Sequence, residues 1–313
     1  MRQLSLFVPI VLAAFCAIAQ PLKDGEETLS VEAQSFELVV PEQEGLSGGH
    51  LQGVQLHNGT LIVSGSSKSF GYLAFFQLLK GDFKFLGLKK LAQKPLNHAG
   101  GFQIADNWLA VGVEDPKGKR ESVIQIIDIS TFENISAPPV YSLARKGEWK
   151  FSTAGAVALL KRKDHFLLAV GSWDSTTIDF YRSNHLNPKA EDFEFERWTT
   201  WDSREAIRKS WISKSYGSYQ NLQLTQDETG VYLSGFHRTK NGSNQIDVFK
   251  VNPGADPYTL IDKVGVYSVQ CNNDVTFRNG GGFSAFFGLP SILAVGHNLF
   301  PKTRVQIFPI KAD

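Results

Sequence analysis

The fold is decided by a repeated pattern, and its clearest copy is His98-Ala-Gly-Gly-Phe-Gln-Ile-Ala-Asp-Asn-Trp-Leu-Ala-Val-Gly-Val-Glu-Asp115. A short glycine-containing strand is followed by a turn, and then by a buried apolar strand that ends in glycine. The same order recurs four more times, and the five copies begin at His50, His98, Thr153, Ser218 and Asn279. The spacings between these starts are 48, 55, 65 and 61 residues.

A period near 50 residues with several short strands per unit is typical of a propeller, because each unit is one small sheet packed on its neighbours. Each of the first four units holds two further runs rich in β-branched and aromatic residues, which we predict to be its third and fourth strands. The fifth unit lacks a fourth strand, and the segment 35–40 offers the missing one. We therefore predict an all-β, five-bladed β-propeller of four-stranded blades, with the last blade closed by the N-terminal strand 35–40.

The pattern Gly-Phe-Gln-Ile followed by Leu-Ala-Val-Gly, at 101–104 and 109–112, resembles that of secreted five-bladed β-propeller repeat proteins. The resemblance covers roughly residues 35–313 and concerns the fold alone. It implies one β-propeller domain over 35–313 and no particular activity.

The N-terminus predicts export. A basic residue, an apolar run and small residues before position 20 indicate a signal peptide over 1–19, followed by an extended segment over 20–34. We expect a secreted protein, extracellular or periplasmic according to the host. Cys16 lies in the signal, so Cys271 is the remaining cysteine, and we expect its thiol to be buried. Three sequons predict glycosylation at Asn58, Asn134 and Asn241.

Composition narrows the partners. The formal net charge of +1 argues against nucleic acid and against an anionic membrane surface. We expect a monomer whose partner is a small molecule or a glycan, with no cofactor. The region 198–218 departs most from the repeat, and a protein-interaction platform built on it is a further alternative. Within it Ser203 predicts the start of a helix.

In a four-stranded blade, the start of the first strand and the end of the second meet on one face, at the mouth of the central channel. This geometry predicts a site there, and a concave site with convergent polar groups and an aromatic wall is the usual place for a ligand. The predicted ligand-binding residues are Thr153, Trp173, Ser218, His237, Arg238, Asn279 and His297.

Three alternatives remain open for this mouth. Our main prediction is binding of a small polar molecule or glycan. The second is a cofactor-independent enzyme, glycosidase-like or a lyase or cyclase, with Glu114, Asp115, Asp174, His50 and His98 as the candidate catalytic residues. A transition metal held by His50, His98, His237 and His297 is chemically conceivable, but no pair has the i, i+4 spacing of a helical metal motif, so we predict no metal site. Gln55, Gln103 and Gln223 recur at one position, which predicts a structural role.

Overall fold

The computed structural model describes residues 25–29, 31–148, 152–272 and 274–310. The signal peptide predicted over 1–19 lies outside these residues. The described strands are β1 (Gly25–Leu29), β2 (Gln34–Val39), β3 (Leu51–His57), β4 (Thr60–Ser66), β5 (Phe70–Leu79), β6 (Asp82–Gln93), β7 (His98–Ala105), β8 (Trp108–Glu114), β9 (Glu121–Asp128), β10 (Tyr141–Lys146), β11 (Ala156–Lys161), β12 (Phe166–Gly171), β13 (Thr177–Ser183), β14 (Phe195–Asp202), β15 (Asn221–Asp227), β16 (Gly230–Arg238), β17 (Asn244–Val251), β18 (Ile261–Val269), β19 (Thr276–Phe286), β20 (Leu289–Val295) and β21 (Lys302–Pro309). One short helix, α1 (Phe132–Ser136), precedes β10. No helix in the described part of the chain has the length and hydrophobicity needed to cross a bilayer.

The strands pair as antiparallel four-stranded units in chain order. Units 1 to 4 are β3–β6, β7–β10, β11–β14 and β15–β18, and unit 5 joins β19–β21 to β2. One parallel bridge, between Gly101 and Ala156, merges units 2 and 3 into an eight-stranded sheet. By hydrogen bonding the described residues therefore form four sheets, and the number of blades stays a prediction.

The first strands of the units surround a common axis. In the described residues β3 contacts β7, β7 contacts β11, β11 contacts β15, β15 contacts β19, and β19 returns to contact β3. This closed ring of contacts is what a propeller requires, because each blade packs on its two neighbours around the channel.

The N-terminal strand closes the ring as predicted. β2 runs antiparallel to β21, with Phe36 opposite Val305 and Leu38 opposite Thr303. Leu38 is fully buried, whereas the adjacent Val39 points outward and is 57% exposed. The pairing therefore joins the two ends of the chain, and one face of the strand contributes to the core.

A second N-terminal strand was not predicted. β1 lies in the segment 20–34 and pairs in parallel with β18, with Gly25 opposite Gly265 and Leu29 opposite Val269. Glycine and glutamate are depleted in strands, so the sequence of β1 carries little strand signal. The strand covers the outer edge of unit 4, which an unpaired β18 would expose.

The recurring glutamines tie the units together, as predicted. The amides of Gln55 and Gln223 both donate to the carbonyl of Phe283, at 3.2 Å each. The amide of Gln103 donates to the carbonyl of Leu224 at 2.8 Å, across the channel. Each bond joins the first strand of one unit to the first strand of another, so these side chains hold the inner strands in register.

The predicted helix that starts at Ser203 is wrong, because the segment 203–217 consists of turns and irregular backbone. Its tertiary contacts explain the difference. Trp211 is 4% exposed, and its indole N–H donates to the carbonyl of Ile261 at 3.2 Å. The guanidinium of Arg208 donates to the carbonyl of Lys214 at 3.0 Å. These contacts with unit 4 and within the segment override a modest helix propensity.

Cys271 is half-buried and packs on the apolar cluster between units 4 and 5. Burial raises the pKa of its thiol to about 12. The thiol is therefore protonated at neutral pH and lacks the thiolate character of a nucleophile.

Candidate active site at the channel mouth

Three of the predicted histidines meet at the channel mouth, although they come from the first, second and last units of the chain. His50 directly precedes β3 of unit 1, His98 is the first residue of β7 of unit 2, and His297 follows β20 of unit 5. The ring centroids of His50 and His98 are 5.2 Å apart, and the ring of His50 stacks on that of His297 at 5.7 Å. Asn279 joins this group, since its side-chain oxygen lies 3.1 Å from Nδ1 of His297.

Glu114 orients His98. Its Oε1 is 3.1 Å from Nδ1 of His98, and its Oε2 accepts a hydrogen bond from the backbone N–H of Ala154 at 2.7 Å. The carboxylate is 1% exposed, so both oxygens are occupied and shielded from water. A carboxylate that accepts from Nδ1 fixes the tautomer in which Nε2 of His98 carries the lone pair.

His50 is uncharged at neutral pH. Burial, together with electrostatic repulsion from His98, His297 and Arg278, lowers its pKa to about 4. Its Nε2 lies 3.3 Å from Nε2 of His98. Burial therefore keeps the imidazole of His50 neutral beside His98.

Trp173 and Asp174 form a tight turn that follows β12. The backbone N–H of Trp173 donates to Oγ1 of Thr153 at 2.7 Å. Asp174 is exposed and has φ 56° and ψ 19°, a left-handed conformation that few non-glycine residues adopt. Its Oδ1 accepts from the hydroxyl of Ser218 at 2.7 Å. The structure thus brings four predicted site residues from units 3 and 4 together.

The ring of Trp173 links this turn to the histidines. Its centroid lies 6.0 Å from that of His98. The ammonium of Lys119 lies over the indole at 3.5 Å from its centroid, which is a cation–π contact. The mouth is therefore continuous from His297 through His50 and His98 to Trp173.

A pocket of about 1030 Å³ opens beside Trp173, and it is lined by Gly118, Lys119, Arg120, Gly147, Glu148, Trp173 and Asp174. Sequence analysis did not assign Lys119, Arg120 or Glu148 to the site. The first two lie in the loop between β8 and β9, and Glu148 follows β10. Both connections emerge on the mouth face, and their position in the repeat was the sequence feature that could have assigned these residues to the site.

The remaining candidates lie elsewhere or are engaged. Oδ1 of Asp115 accepts from the backbone N–H of Lys117 at 2.9 Å and shapes the β8–β9 turn. Arg238 is exposed and donates to the carbonyl of Gly242 at 3.0 Å, within its own loop. Neither side chain is among the residues that line the pocket.

His237 belongs to a buried polar cluster of unit 4. Its ring packs edge-on against Tyr219 at 5.2 Å, and its Nε2 is 3.5 Å from Oδ2 of Asp247. The same Oδ2 accepts from the ammonium of Lys263 at 2.8 Å. Burial raises the pKa of Asp247, but the nearby His237 and the charge of Lys263 outweigh it and lower that pKa to about 2. The cluster is a buried ion pair.

The sequons differ in their surroundings. Asn58 is exposed at the β3–β4 turn, and Asn241 is exposed in the β16–β17 loop. The amide nitrogen of Asn134 donates to Asp128 at 3.2 Å and to Ser130 at 3.0 Å. Glycosylation stays a prediction at all three positions.

No three His, Cys, Asp or Glu side chains within the described ranges are gathered closely enough to hold a metal ion.

Comparisons with known proteins concern the fold. No protein-family model matches the chain, and no curated protein resembles it in sequence. An endo-arabinase from Bacteroides thetaiotaomicron matches with a TM-score of 0.53 at 11% identity, over 88% of this chain and 98% of its own. A β-xylosidase, RS223, matches with a TM-score of 0.51 at 10% identity, over 90% and 96%. An α-L-arabinofuranosidase from Podospora anserina, in complex with cellotriose, matches with a TM-score of 0.50 at 11% identity, over 91% and 98%. Identities this low show the fold alone, and the chain is a β-propeller.

Proposed function

We propose that this protein acts on a glycan at the Trp173 pocket, by a glycosidase-like hydrolysis. The observation that carries the proposal is that two carboxylates from different units, Asp174 and Glu148, line one pocket with an indole ring. Glycoside hydrolysis commonly uses two carboxyl groups, one as an acid and one as a base or nucleophile. The similar solved structures are an endo-arabinase, a β-xylosidase and an arabinofuranosidase, which favours hydrolysis over binding alone.

The proposal moves the catalytic role away from Glu114. Both of its oxygens are engaged, by His98 and by the N–H of Ala154, so it is poorly placed to exchange a proton with a substrate. Asp174 is instead exposed and held in place by Ser218 and by the turn. A non-glycine residue kept at positive φ costs about 1 to 3 kcal/mol, and such strain is concentrated at functional sites.

The reaction would proceed at this pocket with water as the second reactant. One carboxyl group protonates the leaving glycosidic oxygen, and the other takes a proton from the attacking water or adds to the anomeric carbon first. Trp173 offers the flat apolar face on which a sugar ring packs. Because the ammonium of Lys119 lies over that indole, a sugar on the same face would displace it.

The test is hydrolysis of a panel of arabinan, arabinoxylan, xylan and cello-oligosaccharides, with the release of reducing ends as the measured quantity. We expect Asp174→Asn and Glu148→Gln to lower kcat by about 10²- to 10⁴-fold. Trp173→Ala should raise KM more than it lowers kcat. The control is Glu37→Gln, which removes an exposed carboxylate paired with Lys302 and should leave the rate unchanged.

A binding-only role is the second candidate, favoured by the engagement of Glu114 and Asp115 with backbone N–H groups. Calorimetry with the same oligosaccharides separates the two. Binding that Trp173→Ala weakens, with no turnover of any substrate, would replace hydrolysis by recognition. If neither binding nor turnover is seen with any glycan in the panel, both are refuted.

A further inference from the structure

Three nitrogen atoms converge where units 1 and 2 meet at the mouth. Nε2 of His98 lies 3.3 Å from Nε2 of His50 and 3.2 Å from the amide nitrogen of Gln52. His98 and Gln52 are 8% and 3% exposed, and His50 is half-buried and open to the mouth. The proposed glycan reaction uses none of these three groups.

Hydrogen bonding among these groups is unbalanced. Glu114 holds Nδ1 of His98 as the donor, so Nε2 of His98 offers a single lone pair in the ring plane. The amide N–H of Gln52 and Nε2 of His50 both converge on that lone pair. At the same time, the buried Oε1 of Gln52 has no hydrogen-bond partner within the described residues. Two nitrogen atoms thus lie close to one lone pair, while the amide oxygen of Gln52 has no donor within the described residues.

A half-turn of the Gln52 amide exchanges its nitrogen and oxygen with little change of shape. It would place Oε1 at the position now 3.2 Å from Nε2 of His98. The cluster would then present two imidazole lone pairs and one carbonyl oxygen to a common point. Lone pairs that face a common point are complementary to a cation placed there.

We propose that His50, His98 and Gln52 bind a divalent transition metal, with Zn²⁺ as the reference ion, through two Nε2 atoms and the amide oxygen. Two nitrogens at about 2.0–2.1 Å from a tetrahedral zinc lie about 3.3 Å apart. The Nε2 atoms of His50 and His98 are already 3.3 Å apart. The spacing of the two nitrogens therefore matches that of two ligands sharing one zinc ion, and water would complete the coordination.

The residues around the three ligands suit a site that binds a metal ion reversibly. Glu114 is a buried carboxylate on the far nitrogen of His98, an arrangement that orients metal-bound histidines and strengthens them as ligands. Arg278 acts against the cation, because its charge reaches His50. Two imidazoles and one amide form a weaker set than three imidazoles.

The experiment is calorimetric titration of Zn²⁺ into the chelator-treated protein at neutral pH, without a polyhistidine tag. We expect saturable binding of one ion per chain. His50→Ala, His98→Ala and Gln52→Ala should each weaken it by at least about tenfold. Gln52→Glu should tighten it, since it supplies a carboxylate. The control is His185→Ala, which removes a partly exposed histidine paired with Asp192 and should bind like the parent.

The outcomes are decisive even if one variant misfolds. His98→Ala leaves Glu114 buried without its histidine partner and is the variant most at risk. Circular dichroism would reveal that, and the comparison of His50→Ala with Gln52→Glu then decides. The proposal is overturned if Zn²⁺, Ni²⁺ and Cu²⁺ show no saturable binding. It is equally overturned if these two variants bind as the parent does.

Discussion

The amide of Gln103 makes three hydrogen bonds to two other units, so its removal tests how the inner strands are held. Its nitrogen donates to the carbonyl of Leu224 at 2.8 Å. Its oxygen accepts from the backbone N–H groups of Leu159 at 3.0 Å and Leu224 at 2.8 Å. One side chain of unit 2 is thus bonded to units 3 and 4, and it is 8% exposed.

Gln103→Met keeps the length of the side chain and removes all three hydrogen bonds, so the result reports bonding rather than a cavity. A buried hydrogen bond contributes about 1 to 1.5 kcal/mol net. Three of them give an expected loss of about 3 to 4.5 kcal/mol in the free energy of unfolding. The loss is this large because two N–H groups and a carbonyl stay buried without their partner.

Urea unfolding followed by tryptophan fluorescence measures the loss by linear extrapolation. The matched control is Gln77→Met. The Gln77 amide also makes two bonds, to Gly59 at 3.1 Å and Thr60 at 3.3 Å, but it is half-buried at a hairpin of unit 1. Water can replace those bonds, so we expect a loss of about 1 kcal/mol or less. Equal losses in the two variants, or a loss below about 1 kcal/mol in Gln103→Met, would refute the structural role of Gln103.

Two further predictions concern stability. Leu38→Ala, on the buried face of the closing strand, should lower the free energy of unfolding by about 2 to 5 kcal/mol. Val39→Ala, on the other face at a position 57% exposed, should change it by less than about 0.5 kcal/mol. Thermal unfolding of the two variants checks whether β2 is part of the cooperative core, and equal effects would contradict this. Asp247→Asn should lower the free energy of unfolding by about 3 to 5 kcal/mol, because Lys263 is 0% exposed and would keep a buried charge without its counterion. The control in the same urea assay is Glu37→Gln, which breaks an exposed pair and should cost less than about 1 kcal/mol. An equally small loss for Asp247→Asn would show that Lys263 loses its proton instead.

The fold was predictable because the sequence pattern of one unit occurs five times along the chain. Strand alternation, turn residues and the apolar run ending in glycine recur in each unit, so an error in one copy is corrected by the others. The closure by β2 followed from counting strands, since the fifth unit lacks one within its own sequence. Features that occur once were missed: β1 has no copy elsewhere, and Ser203 gave a helix signal that the buried Trp211 overrides.

The site was less predictable, for a reason of the same kind. Position in the repeat correctly indicated that His50, His98 and His297 would meet, although the first and last are 247 residues apart in sequence. It could not indicate which side chains would be free to act. Nor did it place Lys119 in the site, although the ammonium of this residue lies over Trp173.

Glu114 illustrates why residue type at the right position is not enough to assign catalysis. A carboxylate at the end of a second strand is enclosed by two units, and Glu114 is 1% exposed. Burial at that depth demands hydrogen-bond donors for both oxygens, and the donors come from His98 and Ala154. Those bonds hold the carboxylate away from substrate. Carboxylates that can exchange protons at such a mouth should therefore be sought in the loops after the strands, where Asp174 and Glu148 lie.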